Sequence, residues 1–325
     1  MLIQFFKNNN PSTFIFLSLL ALVLWVNGFV LHSNTELQEQ VSLFNLFNNF
    51  HFFASFIKPL LALLFILGEA FLLNFLVNKY DVLSKPSFLP ALLYIILMSM
   101  DNSMLTLHAS IIANFLILLI VYVFMESYRK EVAFSNAFDA GALYSIATLF
   151  YSPIIVLLPI LGIGLFILRP FNWREWIICL IGICVPYLFV IAYYFLTDRF
   201  DYFLNNAFFH FTPTSFTTYS SALLSVFSIV FLIILLSLGK LANNIRGGSQ
   251  KKSKSTILFL WITVFSLLSL YITPSLSCNY FSVLIIPVSV FCAEYLSSVK
   301  KRWWGEFLFA ILFISVIVNL MSVYF

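Results

Sequence analysis

The chain has 325 residues, of which 62% are hydrophobic and 9% are charged, and its formal net charge is +4. Soluble domains average roughly 45–50% apolar and about 25% charged residues, and a core of this size cannot hide so much apolar surface. These values exclude a soluble globular protein and predict an all-α, polytopic membrane protein. A small net charge does not indicate a nucleic-acid partner, so we expect none. The distribution of the cations along the chain is more informative.

Apolar runs recur along the whole chain and predict about eleven helices in one integral-membrane domain, residues 1–325. The first run shows no small-residue cleavage site, so we interpret it as a retained helix. Three runs are short for a hydrocarbon core of about 30 Å and should be shielded by neighbours or border a water-filled cavity. The predicted spans are 13–32, 57–78, 88–100, 107–126, 137–150, 153–168, 176–196, 219–239, 256–272, 281–298 and 305–324, the short ones being 88–100, 137–150 and 153–168.

Residues 33–56 form the first predicted outer loop, which carries Glu36 and Glu39. From Ser42 to Ile57, asparagines interrupt a Phe and Leu majority at helical spacing, a pattern typical of an amphipathic helix in the membrane interface. Such a helix either only anchors the protein or presents the carboxylates of the loop to a lipid-borne substrate.

Glu69 stands near the middle of the second predicted span. A carboxyl group at bilayer depth is costly, so it indicates either a functional group or a structural one that is hydrogen-bonded to another helix.

The segment Ala140–Leu168 contains no charged residue. A single helix of about 29 residues would put Arg129 and Arg169 on opposite sides of the bilayer, which the positive-inside tendency disfavours. Two short helices that turn at Tyr151, Ser152 and Pro153 keep both basic groups on one side, so the sequence predicts a paired-helix hairpin.

The basic residues then predict the orientation of the protein. With the N-terminus inside and the C-terminus outside, all Lys and Arg residues except Lys58 and Arg199 fall on the cytoplasmic side. The cytoplasmic loop 240–255 is the most basic connector in this arrangement. It acts either as a topology determinant or as a contact for lipid headgroups.

The same orientation collects histidines and acids at the outer face. This collection can supply a general base, a metal site or merely solvated loops. The second large outer loop, 197–218, mixes aromatic residues with polar ones, which suits contact with a sugar or a headgroup. The histidines and acids predicted on the outer side are His32, His51, His108, His210, Glu36, Glu39, Asp101, Asp198 and Asp201.

Several motifs carry a family resemblance that covers most of the chain. Together they resemble an uncharacterised family of bacterial polytopic inner-membrane proteins, a resemblance that implies a membrane fold and no particular activity. The motifs are Phe5-Phe6-Lys7-Asn8-Asn9-Asn10-Pro11, Leu105-Thr106-Leu107-His108 with Asn114, Phe138-Asp139-Ala140-Gly141, Tyr151-Ser152-Pro153, Arg169 to Trp176 and Val185-Pro186-Tyr187 to Asp198.

At a greater distance, the short-helix pair and its basic connector resemble the core of the C-type glycosyltransferases, which use polyprenyl-phosphate sugars. Asn279-Tyr280-Phe281, entering a span with Pro287, is similar to the late helices of those enzymes. The resemblance implies a catalytic acid in the first outer loop, which maps to Glu36 or Glu39. This loop is shorter than in that superfamily and lacks its usual Asp-centred motif.

The leading hypothesis is a glycosyltransferase-like protein that acts on a lipid-linked sugar at the outer face of the bacterial inner membrane. Glu36 or Glu39 would deprotonate the acceptor and Arg199 would hold the donor phosphate. Asp198, Asp201, His210 and Asn279 would contact the substrate, and a divalent metal ion would bind Asp101 or Asp198 with His108 or His210. The expected partners are membrane lipid and a polyprenyl-phosphate sugar. The alternative is a non-catalytic subunit that binds other envelope membrane proteins, or a transporter, with Glu69 as its intramembrane polar element.

Overall fold

The computed structural model describes residues 2–7, 12–30, 57–198, 219–271, 273, 277–299 and 301–322, and every regular element in these ranges is helical. The described α-helices are α1 (Leu2–Lys7), α2 (Ser12–Leu24), α3 (Val26–Val30), α4 (Ile57–Lys79), α5 (Leu89–Met98), α6 (Ala109–Ser127), α7 (Phe134–Phe150), α8 (Leu158–Leu168), α9 (Trp173–Leu196), α10 (Ser221–Gly247), α11 (Gln250–Leu270), α12 (Ser282–Ser298) and α13 (Arg302–Met321). Three 3₁₀ turns, Asn102–Met104, Ser152–Leu157 and Cys278–Phe281, introduce or separate these helices.

Local sequence signals mark where several helices begin. Pro90, Pro153 and Pro159 occupy the first two positions of their helical segments, where a missing N–H costs nothing. Ser220 and Ser249 cap α10 and α11 by accepting hydrogen bonds from the backbone of Leu223 and Lys252. Between these signals the apolar runs make their backbone hydrogen bonds internally, as a lipid environment requires.

Seven described segments are long and apolar enough to cross a membrane: α4, α6, α9, α10, α11, Cys278–Ser298 and Trp303–Met321. The protein is therefore an all-helical membrane protein. The predicted loop 33–56, with its amphipathic helix, and residues 199–218 of the second outer loop lie outside the described residues.

The short helix α5 lies at the centre of the bundle, and all ten of its residues are buried. It packs against α4 and α12, and the segment Cys278–Ser298 is itself 72% buried over its most apolar stretch. By contrast α9 is only 11% buried over the corresponding stretch, so it lies at the periphery with most of its apolar surface facing outward. The prediction that a short helix is shielded by its neighbours is confirmed for α5.

The uncharged segment Ala140–Leu168 folds back on itself, as the sequence predicts. Helix α7 ends at Phe150, and Ser152–Leu157 begins the return to α8. Arg169, which follows α8, donates hydrogen bonds from Nη1 to the carbonyl oxygen of Ser127 (3.0 Å) and from Nη2 to that of Glu131 (3.2 Å). The two basic groups therefore lie at the same end of the bundle.

We call this end the basic end. It comprises residues 79–87, 126–131, 169–175, 244–254, 294–299 and 301. Lys251 donates a hydrogen bond to the carbonyl oxygen of Lys79 (2.8 Å), and Lys254 lies over the ring of Tyr128. Among the Lys and Arg side chains that the structure describes, only Lys58 lies toward the opposite end, in the first turn of α4.

The predicted basic loop 240–255 is wrong in its extent. Helix α10 continues to Gly247 and α11 begins at Gln250, so only Gly248 and Ser249 separate the two helices. The charges are held in place because Lys252 lies 3.6 Å from the carboxylate of Glu294. The polar composition of this stretch is typical of a loop, but Ser249 caps α11 and lets the helix begin among the lysines.

Candidate functional site

The end opposite the basic end is held together by asparagine side chains, and we call it the asparagine end. It comprises residues 25–30, 98–108, 219–220, 277–281 and 319–322. Asn27 Nδ2 donates to Asn102 Oδ1 (3.3 Å) and to the carbonyl oxygen of Leu320 (3.0 Å). Asn319 Nδ2 donates to the carbonyl oxygen of Met100 (2.8 Å). These bonds tie the end of α13 to α3 and to the connection between α5 and α6.

Asp101, a predicted metal ligand, acts as a cap in this network. Asp101 is the N-cap of the 3₁₀ turn Asn102–Met104, and its carboxylate accepts hydrogen bonds from the backbone N–H and the hydroxyl of Ser103. Asn319 Nδ2 lies 3.4 Å from Asp101 Oδ1, and the thiol of Cys278 is hydrogen-bonded to the same carboxylate. Asp101 therefore joins the 3₁₀ turn to the segment that carries Asn279.

His108 occupies the N-cap position of α6 and is 3% exposed. Its Nδ1 lies 2.7 Å from the carbonyl oxygen of Thr106, so Nδ1 carries the hydrogen and donates it. Burial lowers the pKa of His108 to about 4, so the ring is neutral at pH 7. The buried Nε2 atom then presents a lone pair that has no hydrogen-bond partner in the part of the chain that the structure describes.

Asn279, a predicted substrate contact, lies beside the start of α6. Its backbone carbonyl oxygen accepts a hydrogen bond from the hydroxyl of Ser110 (3.1 Å). Its side chain is buried, yet neither Nδ2 nor Oδ1 has a hydrogen-bond partner among the described residues, and the same holds for the hydroxyls of Ser277 and Ser282. Buried polar groups are nearly always paired, so a set of unpaired ones indicates a place where a polar ligand or water binds.

We call these four side chains, His108, Ser277, Asn279 and Ser282, the unpaired polar set. It offers an acceptor at His108 Nε2, an amide that both donates and accepts, and two hydroxyls that do either. The described residues contain no group of three or more His, Cys, Asp and Glu side chains that could hold a metal ion. The metal role of Asp101 and His108 stays a prediction that needs further ligands from elsewhere in the chain.

The remaining predicted site residues are separated from this set or lie outside the described part of the chain. Asp198 is exposed, just after α9, with a left-handed backbone conformation (φ 52°). Its predicted contact with substrate stays a prediction. The residues outside the described part are Glu36, Glu39, Arg199, Asp201 and His210.

Glu69 lies in the core and is fully buried. Its Oε2 atom accepts a hydrogen bond of 2.7 Å from the hydroxyl of Tyr94 in α5, and Asn114 Nδ2 of α6 lies 3.5 Å from that hydroxyl. The carboxyl group of Glu69 therefore has a hydrogen-bonded partner in another helix, while a functional role for it stays a prediction. Sequence reasoning missed Tyr94, although it is the one hydroxyl-bearing residue in the otherwise apolar helix α5.

The fold and these buried polar groups define a helical membrane protein with one polar site at an end of the bundle and another in its core. Residues 39–324 match the sequence model of a family of unknown function, DUF6427, and the chain belongs to that family. No curated protein and no solved structure shows a significant match to the chain. The family description gives no activity, so the resemblance to C-type glycosyltransferases stays a prediction.

Proposed function

We propose that the protein is a glycosyltransferase-like enzyme of the bacterial inner membrane that acts on a lipid-linked sugar at the outer face. In this proposal the chain crosses the membrane about eleven times, with the N-terminus inside and the C-terminus outside. The basic end faces the cytoplasm, in keeping with the positive-inside tendency, and the asparagine end faces outward.

The observation that carries the proposal is the unpaired polar set at the asparagine end. Sugar hydroxyls both donate and accept hydrogen bonds, and the amide of Asn279 can do the same with two neighbouring serines. The buried edge of His108 supplies a further acceptor. In this proposal the sugar reaches the unpaired polar set from the bilayer, carried by its lipid. A soluble sugar would first have to give up its hydration by water.

The catalytic base in this proposal is Glu36 or Glu39. In this proposal His108 binds substrate, because burial disfavours the charged ring that a base would become and lowers its pKa to about 4. A carboxylate of the first outer loop, the base that the resemblance implies, removes the proton.

The test uses membrane vesicles that contain the full-length protein and a radiolabelled polyprenyl-phosphate hexose. We expect Asn279→Ala to lower sugar transfer at least about tenfold, since one lost hydrogen bond to substrate corresponds to roughly 1.5 kcal/mol. Asn243→Ala is the matched control, because Asn243 is exposed near the basic end of α10 and should leave transfer unchanged. Full transfer and full glycan assembly in a Glu36→Gln, Glu39→Gln double variant would remove the catalytic part of the proposal.

A second candidate function is a transporter or a non-catalytic subunit of an envelope complex. The observation that favours it is the burial of Glu69 at the centre of the bundle. It predicts solute flux that is sensitive to Glu69→Gln, or a partner protein that copurifies, together with indifference to changes at Glu36 and Glu39.

A further inference from the structure

The carboxyl group of Glu69 is buried, and its two oxygen atoms differ in their hydrogen bonding. Oε2 accepts the short hydrogen bond from Tyr94, whereas Oε1 has no side-chain partner among the residues that the structure describes. The carboxyl group also has a hydrogen-bond contact with the backbone of Phe115 in α6. Asn114, whose amide nitrogen contacts the hydroxyl of Tyr94, has in Oδ1 a second buried acceptor without a partner in the described part of the chain. The group therefore has more acceptors than donors.

Among the described residues, the helices that pack against α4 bring no cation to Glu69. Helix α4 packs against α2, α5 and α6. Helix α2 has no titratable residue, and the one titratable residue of α5 is Tyr94. Helix α6 has Tyr122 and Glu126. At a rise of about 1.5 Å per residue, these two lie about 12 Å and about 18 Å along the helix from Asn114. Within α4 the other charged residues are Lys58 and Lys79, near the two ends of the helix and about 16.5 Å and about 15 Å along it from Glu69.

An ionised carboxylate without a cation in an apolar core costs several kcal/mol, so the group needs a positive charge. A hard cation requires many oxygen ligands, six to eight in the case of Ca²⁺. The oxygens grouped here are the two of Glu69, the hydroxyl of Tyr94 and Oδ1 of Asn114. A proton requires only one of them, and it converts Oε1 from an unpaired acceptor into a donor.

We propose that Glu69 is a proton-binding site in the core of the bundle, occupied at pH 7 and held by Tyr94 and Asn114. The proton comes from water and binds Oε1, leaving a neutral carboxylic acid whose carbonyl oxygen accepts from Tyr94. The new hydroxyl can then donate to an acceptor such as Asn114 Oδ1. Release of the proton leaves an unpaired charge between α4, α5 and α6 and favours their separation. This site does not depend on glycosyl transfer at the asparagine end.

The test is infrared spectroscopy of the purified full-length protein in lipid nanodiscs at pH 7, in H₂O and in D₂O. We expect a carbonyl band of a protonated carboxylic acid that shifts in D₂O and is lost in Glu69→Gln. Glu294→Gln is the matched control: Glu294 is also a buried glutamate, but it is paired with Lys252, so the band should persist.

Tyr94→Phe provides a second variant that keeps the ring and removes only the hydroxyl. The acid band should move to higher frequency, because the carbonyl oxygen of Glu69 loses its hydrogen-bond donor. Identical spectra for the wild type, Glu69→Gln and Tyr94→Phe would overturn the proposal. A band that appears only when sodium is removed would also overturn it, since the site would then hold a metal cation.

Discussion

At the scale of single residues, two glycines decide how closely α7 and α9 approach. A Cβ atom at Gly141 would lie 2.2 Å from the carbonyl oxygen of Cys179, and one at Gly182 would lie 2.4 Å from that of Phe138. Only glycine permits such backbone contact between membrane helices. We therefore predict that Gly141→Ala lowers the free energy of unfolding by about 1–3 kcal/mol, because the helices must separate. Unfolding in mixed detergent micelles measures this change.

The control for this prediction is Gly239→Ala in α10, where nothing lies within 4 Å of the added methyl group. Alanine is also the better helix former, so stability should hold or rise slightly. Equal losses in the two variants would mean that α7 and α9 are not in close contact. The sequence singles out this region through the motif Phe138-Asp139-Ala140-Gly141. It does not predict the role of the glycine, because that role depends on contact with a helix some 40 residues further along the chain.

At the scale of elements, a buried ion pair fixes the connector between α8 and α9. Arg169 Nη2 lies 2.7 Å from Glu175 Oε1, and both side chains are almost fully buried. Removing one partner of such a pair leaves an uncompensated charge in the interior. We predict that Glu175→Gln destabilises the protein by about 3–5 kcal/mol, measured as a lower midpoint of thermal unfolding in lipid.

A second ion pair at the basic end serves as the comparison. Lys130 and Glu126 are 3.6 Å apart, and both side chains are 41% exposed. Exposed pairs contribute about 0–1 kcal/mol, so Glu126→Gln should change the midpoint little. If both variants had the same midpoint as the wild type, Arg169 would not be buried as described. The sequence identified the basic connector, yet the burial of its charges could not be predicted, because it depends on the return of the α7 and α8 hairpin.

At the scale of the whole molecule, the sequence predicted where the helices lie better than how they meet. Lengths of apolar runs are local properties, and α4, α6 and α9 begin and end within a few residues of the predicted spans. Contacts such as that of Glu69 with Tyr94, or of Asn27 with Leu320, join distant parts of the chain, and no periodicity encodes them. The sequence predicts three residues of the candidate site: Asp101 and His108 from their side-chain chemistry and predicted outer location, and Asn279 from the resemblance to late glycosyltransferase helices. Their linkage through Cys278 and Ser110 required the folded chain.

The two ends of the bundle differ in charge, and this difference predicts how the molecule sits in the membrane. The basic end carries nearly all described Lys and Arg side chains, so it should stay in the cytoplasm. Ser221 and Gln250 are exposed first residues of the adjacent helices α10 and α11, at opposite ends of the bundle. They offer matched positions for single cysteines once the four free native cysteines have been replaced.

We predict that a membrane-impermeant maleimide labels Ser221→Cys in intact spheroplasts and labels Gln250→Cys only after permeabilisation. The physical reason is that moving the basic end across the membrane would carry its Lys and Arg groups away from the anionic cytoplasmic surface. Labelling of both positions from outside would contradict a full crossing by α10. The reverse pattern would place the unpaired polar set in the cytoplasm, and a lipid-linked sugar displayed on the outer leaflet could not then reach it.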